Sequence, residues 1–213
     1  MPRPRKVQPP SVLGVEFSAE PSLDYEESRF CTNWVATMKT DPDVTKPKGI
    51  KHDVGRLYMT TCDLDRFRED DPFVVLDTMS AELGAIAGEL LVNRRAAFDE
   101  FVAEREGSGL VLLTHLTLAP DYRGAGLGAL LVAESIARLC HGWAAVAVRP
   151  WPLPTQPAMT QAEEAAASVV LTRMYRRLGF RRKFADVLVC APGDLAFHRS
   201  HARLRKHLGL TQR

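Results

Sequence analysis

Residues 110–139 constrain the fold of this chain more than any other stretch. They begin with a nearly continuous apolar run, LVLLTHLTL (110–118), which is typical of a strand covered on both faces. Three glycines, Gly124, Gly126 and Gly128, then alternate through a turn. A helical stripe of large apolar side chains follows at Leu131, Val132, Ile136 and Leu139, and it closes at His141-Gly142. The stretch therefore predicts a buried strand, a glycine turn and an amphipathic helix.

The rest of the second half continues this alternation. WAAVAVR (143–149) predicts another buried strand. Thr160 and Glu163 form a capping box for a helix that runs to about Leu178 and stops at Gly179. FADVLVC (184–190) predicts a last strand. Strands that alternate with helices indicate an α/β fold built around a mixed sheet.

The first half gives weaker signals. VLGVEF (12–17) predicts a first strand, and 55–65 predicts another from its β-propensity. The spacing of apolar residues over 21–39 predicts an amphipathic helix. Ser80 is a good N-cap for a further helix, because Leu83, Ile86, Leu90 and Leu91 share one helical face.

The length of 213 residues suits one domain, predicted over 11–195, with a disordered basic tail at 1–10 and a basic tail or helix at 196–213. The net charge of +2 is too small to favour nucleic acid as a partner. The four cysteines form no C-x-x-C pair, which indicates reduced thiols rather than a metal or redox site. The sequence offers no apolar leader and no run of 18 apolar residues, so a cytoplasmic protein without a membrane segment is expected.

The glycine turn has two competing interpretations. GAGLGA (124–129) fits the G-x-G-x-x-G/A pattern of dinucleotide-binding proteins. That fingerprint normally follows its strand directly, near the start of a series of strand–helix–strand units. Here Ala119–Arg123 stands between the strand and the glycines, and about half of the chain precedes the motif. The context therefore disfavours the dinucleotide interpretation.

The other interpretation includes Arg123, which completes R-x-x-G-x-G. The longer segment LTLAPDYRGAGLG (116–128) and the downstream MYRRLGF (174–180) resemble two motifs of the GNAT superfamily of acyl-CoA-dependent N-acyltransferases. The resemblance covers 110–190 well and 11–109 loosely. It implies a GNAT-like fold: a central twisted mixed sheet with splayed fourth and fifth strands, flanked by helices. It also implies acetyl-CoA as co-substrate and no metal.

The resemblance assigns the coenzyme to the turn and to the strand before it. A helix N-terminus supplies converging N–H donors and partial positive charge for a pyrophosphate, and glycine lets the backbone approach closely. The residues implied in coenzyme binding are Leu116, Thr117, Leu118, Arg123, Gly124, Ala125, Gly126, Leu127 and Gly128. A glycine turn that binds no ligand is the structural alternative.

Catalytic residues are harder to assign. Tyr175 matches the family tyrosine near the coenzyme sulfur, where a phenol can protonate a departing thiolate; its i, i+4, i+7 stripe with Leu171 and Leu178 equally suits core packing. Thr114 occupies the position where family members often carry a base. His115 is the adjacent candidate, but strand alternation turns it to the opposite face unless a bulge intervenes. Further candidates for the base are a chain of water molecules or a carboxylate of the first half, such as Asp63, Asp65 or Glu89.

The sequence thus predicts an N-acetyltransferase that moves an acetyl group from acetyl-CoA to an amine, by direct attack in a ternary complex. The acceptor is a small molecule or a protein, and a homodimer is left open. The rival hypothesis is a non-catalytic acyl-CoA-binding or interaction domain, which Thr114 favours and Tyr175 opposes. The proline-rich loop at 150–157 lies between Arg149 and the helix capped by Thr160, and it is a candidate wall of the acceptor site.

Overall fold

A computed structural model describes residues 13–20, 30–40, 53–67, 70–105, 107, 109–153 and 159–210. Seven strands form one sheet: β1 (Leu13–Glu20), β2 (Cys31–Thr40), β3 (Asp53–Asp63), β4 (Gly109–Leu118), β5 (Trp143–Val148), β6 (Arg182–Phe184) and β7 (Val187–Cys190). Their order is β1-β2-β3-β4-β5-β7-β6, and only β4 and β5 run parallel to each other among the described pairs. The predicted N-terminal tail at 1–10 lies outside the described residues.

Helices cover both faces of the sheet. The helices α1 (Pro72–Met79), α2 (Ala81–Ala87) and α3 (Arg95–Ala103) pack on one face, with a π-helical segment, Gly88–Asn93, between α2 and α3. The helices α4 (Leu127–Leu139), α5 (Gln161–Leu178) and α6 (Leu195–His207) pack on the other face. Each face buries its own apolar cluster, as the near-continuous apolar runs of β4 and β5 predict for strands covered on both sides. In the described part of the chain, no helix has the length and apolarity needed to cross a membrane.

The parallel strands β4 and β5 separate part-way along their length. Their pairing runs from Gly109 opposite Trp143 to Leu113 opposite Val148. Strand β4 continues to Leu118, and its last five residues have no described pairing with β5. The predicted α/β class, the mixed sheet and the splayed fourth and fifth strands are therefore confirmed.

A β-bulge lies where the strands separate. In the antiparallel pairing of β3 with β4, Met59 lies opposite Leu113, whereas Leu57 lies opposite Leu116. Thr114 and His115 therefore share a single partner, Tyr58. A bulge redirects side chains and disrupts the local ladder, so this one changes the face to which the end of β4 presents its residues.

Two sequence-based predictions are wrong in their type of element. The helix predicted over 21–39 is contradicted at 31–39, which belongs to β2, while 21–29 lies outside the described residues. Trp34 and Met38 are four residues apart, a spacing that fits one face of a helix and equally one face of a strand. The single strand predicted at 184–190 is a hairpin of β6 and β7, turned at Ala185 with a φ of 48°.

Helix α6 is fastened to α4 by a buried carboxylate. Glu134 is only 5% exposed, and it accepts hydrogen bonds from His201, at 3.0 Å, and from Arg205. Burial by itself raises the pKa of Glu134, but the hydrogen bonds from His201 and Arg205 outweigh it and lower that pKa to about 2. The carboxylate is therefore charged at neutral pH and holds α6 beside the glycine turn.

Candidate active site

The glycine turn presents backbone donors without a side-chain cap. Gly124 and Gly126 have φ values of 78° and 82°, in the left-handed region that favours glycine. Gly126 is the N-cap of α4 and has no side chain to cap it, so the first amides of the helix stay available to an anion. The amide of Arg123 donates to the carbonyl of Pro120 at 3.2 Å. The donors of the turn therefore begin at Gly124, and Arg123 can contribute only through its guanidinium.

The other turn residues have packing roles. Leu127 is fully buried in the cluster beneath α4. A Cβ at Gly128 would lie 3.2 Å from Leu118 Cδ1 and 3.4 Å from Leu116 Cδ2. Gly128 therefore allows α4 to approach the end of β4 closely, whether or not a ligand binds.

The turn opens into a large basic cavity, here called the arginine cleft. It has a volume of about 1230 Å³ and lies between the turn, α5 and α6. Its cationic lining residues are Arg123, Arg173, Arg176, Arg177, Arg181, Arg203 and His207. No described residue that lines it is acidic, and none of the six arginines forms an ion pair with a described carboxylate. Such a cleft favours a ligand with several negative charges.

Arg123 connects the cleft to the free end of β4. Its Nε donates to the carbonyl of Leu118 at 3.0 Å. Leu116 and Leu118 point their side chains into the cluster beneath α4, and Thr117 Oγ1 donates to Arg56 O at 3.5 Å. Leu116, Thr117 and Leu118 pair with β3 on one side, but their other edge has no described pairing with β5. A strand edge without a partner can pair with an extended ligand.

A second cavity lies beside the bulge on the opposite face, and we call it the bulge pocket. Its volume is about 400 Å³, and both bulge residues, Thr114 and His115, line it. His115 Nδ1 is 2.6 Å from Oε2 of Glu82, which lies in the first turn of α2. The Tyr58 ring stands edge-on to the imidazole with centroids 6.1 Å apart. The bulge therefore turns His115 into a pocket that simple alternation would not have predicted.

The His115–Glu82 pair has the arrangement of a base and its orienting group. The Glu82 side chain is 25% exposed and that of His115 is 46% exposed. Partial burial raises the pKa of Glu82, and His115 and Arg149 offset part of that rise. A carboxylate on Nδ1 fixes the imidazole tautomer and leaves Nε2 to accept a proton. Thr114 Oγ1 donates to the carbonyl of Tyr58 at 3.3 Å.

Tyr175 lies in the core rather than on the wall of either cavity. It is 3% exposed, and its ring packs edge-on against Phe180 with centroids 5.2 Å apart. Burial raises the pKa of Tyr175, and the charge of Glu82 raises it further. The phenol is therefore protonated at neutral pH and lies within electrostatic range of Glu82.

Glu82 is the site residue that the sequence did not predict. An acidic residue two positions after the N-cap Ser80 has an ordinary role at the start of a helix, so no sequence signal distinguishes it. Of the three carboxylates considered instead, Asp63 is 3.1 Å from Arg66 and Glu89 accepts from Asn93 at 2.8 Å. Asp65 lies in the short 3-10 helix Leu64–Arg66 after β3 and does not line the bulge pocket. The described residues contain no group of three or more metal-ligating side chains suited to hold an ion.

Arg149 marks the end of β5, beside the separation. Its Nε is 2.5 Å from Asp186 Oδ2, and its guanidinium lies 5.6 Å from the centre of the Trp151 ring. Part of the proline-rich loop that follows, 154–158, lies outside the described residues.

Known structures resemble this chain only distantly. One is the KacTA–DNA complex, with 12% sequence identity and a TM-score of 0.41 over 92% of this chain and 99% of that one. The other is a mutant of the AtaT toxin bound to the C-terminus of the antitoxin AtaR and acetyl-CoA, with 12% identity and a TM-score of 0.33 over 93% of this chain and 99% of that one. No protein-family model matches the chain, and no curated protein matches it. Similarity at this level says nothing about a shared substrate or partner.

Proposed function

We propose that this protein is an acyl-CoA-dependent N-acetyltransferase that moves an acetyl group from acetyl-CoA to an amine. The observation that carries the proposal is the succession of the arginine cleft, the uncapped N-terminus of α4 and the end of β4 that extends beyond its pairing with β5. Coenzyme A has a polyanionic head, a compact pyrophosphate and an amide-rich arm. The arginine cleft suits the head, the N-terminus of α4 suits the pyrophosphate, and the end of β4 suits the arm.

The phosphates are bound by the turn and the cleft. The amides from Gly124 onward donate to the pyrophosphate, and the partial positive charge at the start of α4 adds to their effect. Arg123 supplies a guanidinium beside them, and the arginines of α5 and α6 neutralise the remaining phosphate charge. The acidic residues that would oppose this binding are absent from the described lining of the cleft.

The coenzyme's amide-rich arm pairs with the backbone of Leu116–Leu118 as an added strand does. Followed from Leu118 back to Leu116, this segment leads from the glycine turn toward the bulge, where β4 and β5 separate. A backbone N–H of this segment also polarises the thioester carbonyl and stabilises the oxyanion formed on attack.

The reaction is a direct transfer with general acid and base assistance. His115 Nε2 accepts a proton as the amine nitrogen attacks the thioester carbon, so a C–N bond forms and the C–S bond breaks. Glu82 stabilises the imidazolium that results. The departing thiolate takes up one proton, a role that the motif resemblance gives to the Tyr175 phenol, and the His115 imidazolium returns the proton of the amine, so that no net proton is gained or lost by the protein.

Binding of acetyl-CoA is the primary test of the proposal. At a concentration near 100 times Kd, a ligand that binds only the folded state adds about 2.7 kcal/mol to the free energy of unfolding. For a chain of this length that gain corresponds to about 5–10 °C in Tm. The measurement is a thermal melt with acetyl-CoA, with NADP as the matched dinucleotide. A shift with NADP and none with acetyl-CoA would instead support the dinucleotide interpretation.

Glu82→Gln tests the proposed base. The amide still accepts from His115 Nδ1 but no longer stabilises an imidazolium, so we expect turnover to fall about tenfold, equivalent to ~1.4 kcal/mol in activation free energy. The shift in Tm on adding acetyl-CoA should be unchanged. Glu89→Gln is the control, because Glu89 contacts Asn93 instead of His115. Equal turnover in the two variants would assign the base to another group.

A further inference from the structure

The bulge pocket is placed to receive the acceptor. Its walls come from β2, β3, the bulge of β4 and the junction of α1 with α2. The bulge adjoins the end of the β4–β5 pairing, so an amine next to His115 lies beside the proposed position of the thioester. Its volume of about 400 Å³ is near the lower end of the range for small-molecule sites, about 300–1,000 Å³.

The charges of the pocket restrict what can bind there. Glu82 is the acidic residue that lines it, with His115 as its partner, and no Lys or Arg lies among the described residues that line it. His115 contacts only one of the two oxygens of Glu82 in the described hydrogen bonding. Arg149 acts on Glu82 electrostatically but does not line the pocket. A cationic amine is therefore attracted, whereas a carboxylate or phosphate close to that amine meets Glu82 without a cation in the pocket wall to offset the repulsion.

The remaining walls are mainly aromatic and apolar. Tyr58, Met79 and Leu83 present aromatic and apolar side chains to the pocket, whereas the side chains of Trp34 and Met59 pack against the cluster beneath α4. Thr60 Oγ1 donates to Asn33 Oδ1 at 2.8 Å, which occupies polar atoms of the wall. Such a surface suits an apolar stem, and aromatic faces also favour an ammonium group.

We propose that the acceptor is a primary monoamine on an aromatic or apolar stem, with no carboxylate or phosphate near the amine. This inference rests on the proposed acetyl transfer and names its substrate class. A polyamine fits less well, because its second ammonium would enter a wall that has no second carboxylate. An amino acid fits less well because its carboxylate would lie near Glu82.

Tyramine and L-tyrosine form a matched pair of probes, since they differ only in the carboxylate next to the amine. Release of free coenzyme A thiol from acetyl-CoA gives kcat/KM for each, with spermidine as the polyamine. We expect tyramine to exceed both others by at least about tenfold, the size of one uncompensated like-charge contact in a partly buried site. An equal or higher kcat/KM for L-tyrosine or spermidine would overturn the inference and leave the proposed acetyl transfer intact.

Met79→Lys adds a positive charge to the bulge pocket and so tests the proposed repulsion of a carboxylate by Glu82. Met79 lies at the rim and is partly exposed, so a lysine can place its ammonium near the pocket while its stem stays packed. We expect the ratio of kcat/KM for L-tyrosine to that for tyramine to rise about tenfold. Met79→Leu should leave the ratio unchanged. A ratio that is the same in both variants would also overturn the inference.

Binding decides the matter if none of the three amines is acetylated. Tyramine and L-tyrosine are then each titrated calorimetrically into the protein with coenzyme A present. Tighter binding of tyramine than of L-tyrosine, with the difference reduced in Met79→Lys, supports the inference. No binding of tyramine, or equal binding of the two amines, overturns it. Failure of acetyl-CoA to shift Tm is a separate result, which counts against the proposed function itself.

Discussion

Gly126→Asp should weaken the binding of acetyl-CoA by at least about 100-fold. The substitution puts a carboxylate at the N-cap of α4, where the proposed pyrophosphate meets the first amides of the helix. Two unit charges about 4 Å apart interact by about 4 kcal/mol at an effective dielectric constant of 20, and 1.4 kcal/mol is tenfold in affinity. Isothermal titration of the variant with acetyl-CoA measures the loss.

The matched control is Gly126→Asn. Gly126 has a φ of 82°, and Asn and Asp are the side chains that best tolerate this region, so both variants carry similar backbone strain. A Cβ at this position has only Leu204 Cδ1 nearby, at 3.8 Å, so neither side chain disturbs the packing of α4. Asn can accept from the same amides but adds no charge, so we expect it to lose at least about tenfold less affinity than Asp. Unchanged affinity in the folded Asp variant would place the phosphates away from the turn.

The parts of the fold that the sequence predicts best depend on local chemistry. Thr160 and Glu163 make both reciprocal hydrogen bonds of the capping box, and Gly179 ends α5 in the left-handed conformation. Ser80 caps α2 by accepting from the amide of Leu83 at 3.1 Å. The positive φ values of Gly124 and Gly126 likewise follow from neighbouring residues. These features need no information about distant parts of the chain.

The errors arise where a local pattern fits two structures. The helix predicted at 21–39 becomes β2 in its described part because Trp34, Ala36 and Met38 face one cluster at a period of two. Pairing with β1 and β3 decides between the two periods, and those partners are distant in sequence. The helix predicted from Ser80 is interrupted by the π-helical segment before α3. The spacing of the apolar residues did not predict this interruption.

The candidate site likewise contains some features that the local sequence shows and others that only the folded structure shows. The glycine turn is recognisable in the sequence. The arginines of α5, Arg173, Arg176 and Arg177, recur at helical spacing but were not predicted as site residues. That α6 lies opposite them depends on the buried contact of Glu134 with His201 and Arg205, which only the folded chain reveals. The pairing of Glu82 with His115 needs both the bulge in β4 and the position of α2. The sequence around Glu82 and His115 shows neither the bulge nor the position of α2.

Tyr175→Phe should lower turnover by about 100-fold or more, the lower end of the usual contribution of a general acid. The substitution removes one hydroxyl and keeps the ring against Phe180, so the core should be retained. Because the raised pKa keeps the phenol protonated, the donor form is fully populated at neutral pH. The readout is kcat from thiol release, with an amine that the parent acetylates.

A purely structural Tyr175 gives a different outcome. Its ring is buried and lines neither cavity, so loss of the hydroxyl would then leave turnover nearly normal. Tyr122→Phe serves as a control for removing a phenol from a tyrosine that packs on the same cluster. Tm and affinity for acetyl-CoA should stay close to those of the parent in both variants.

If Tyr175→Phe keeps more than half of the parent rate, water or another donor protonates the thiolate. If the parent releases no thiol with any amine yet binds acetyl-CoA, the chain is a coenzyme-binding domain rather than an acetyltransferase.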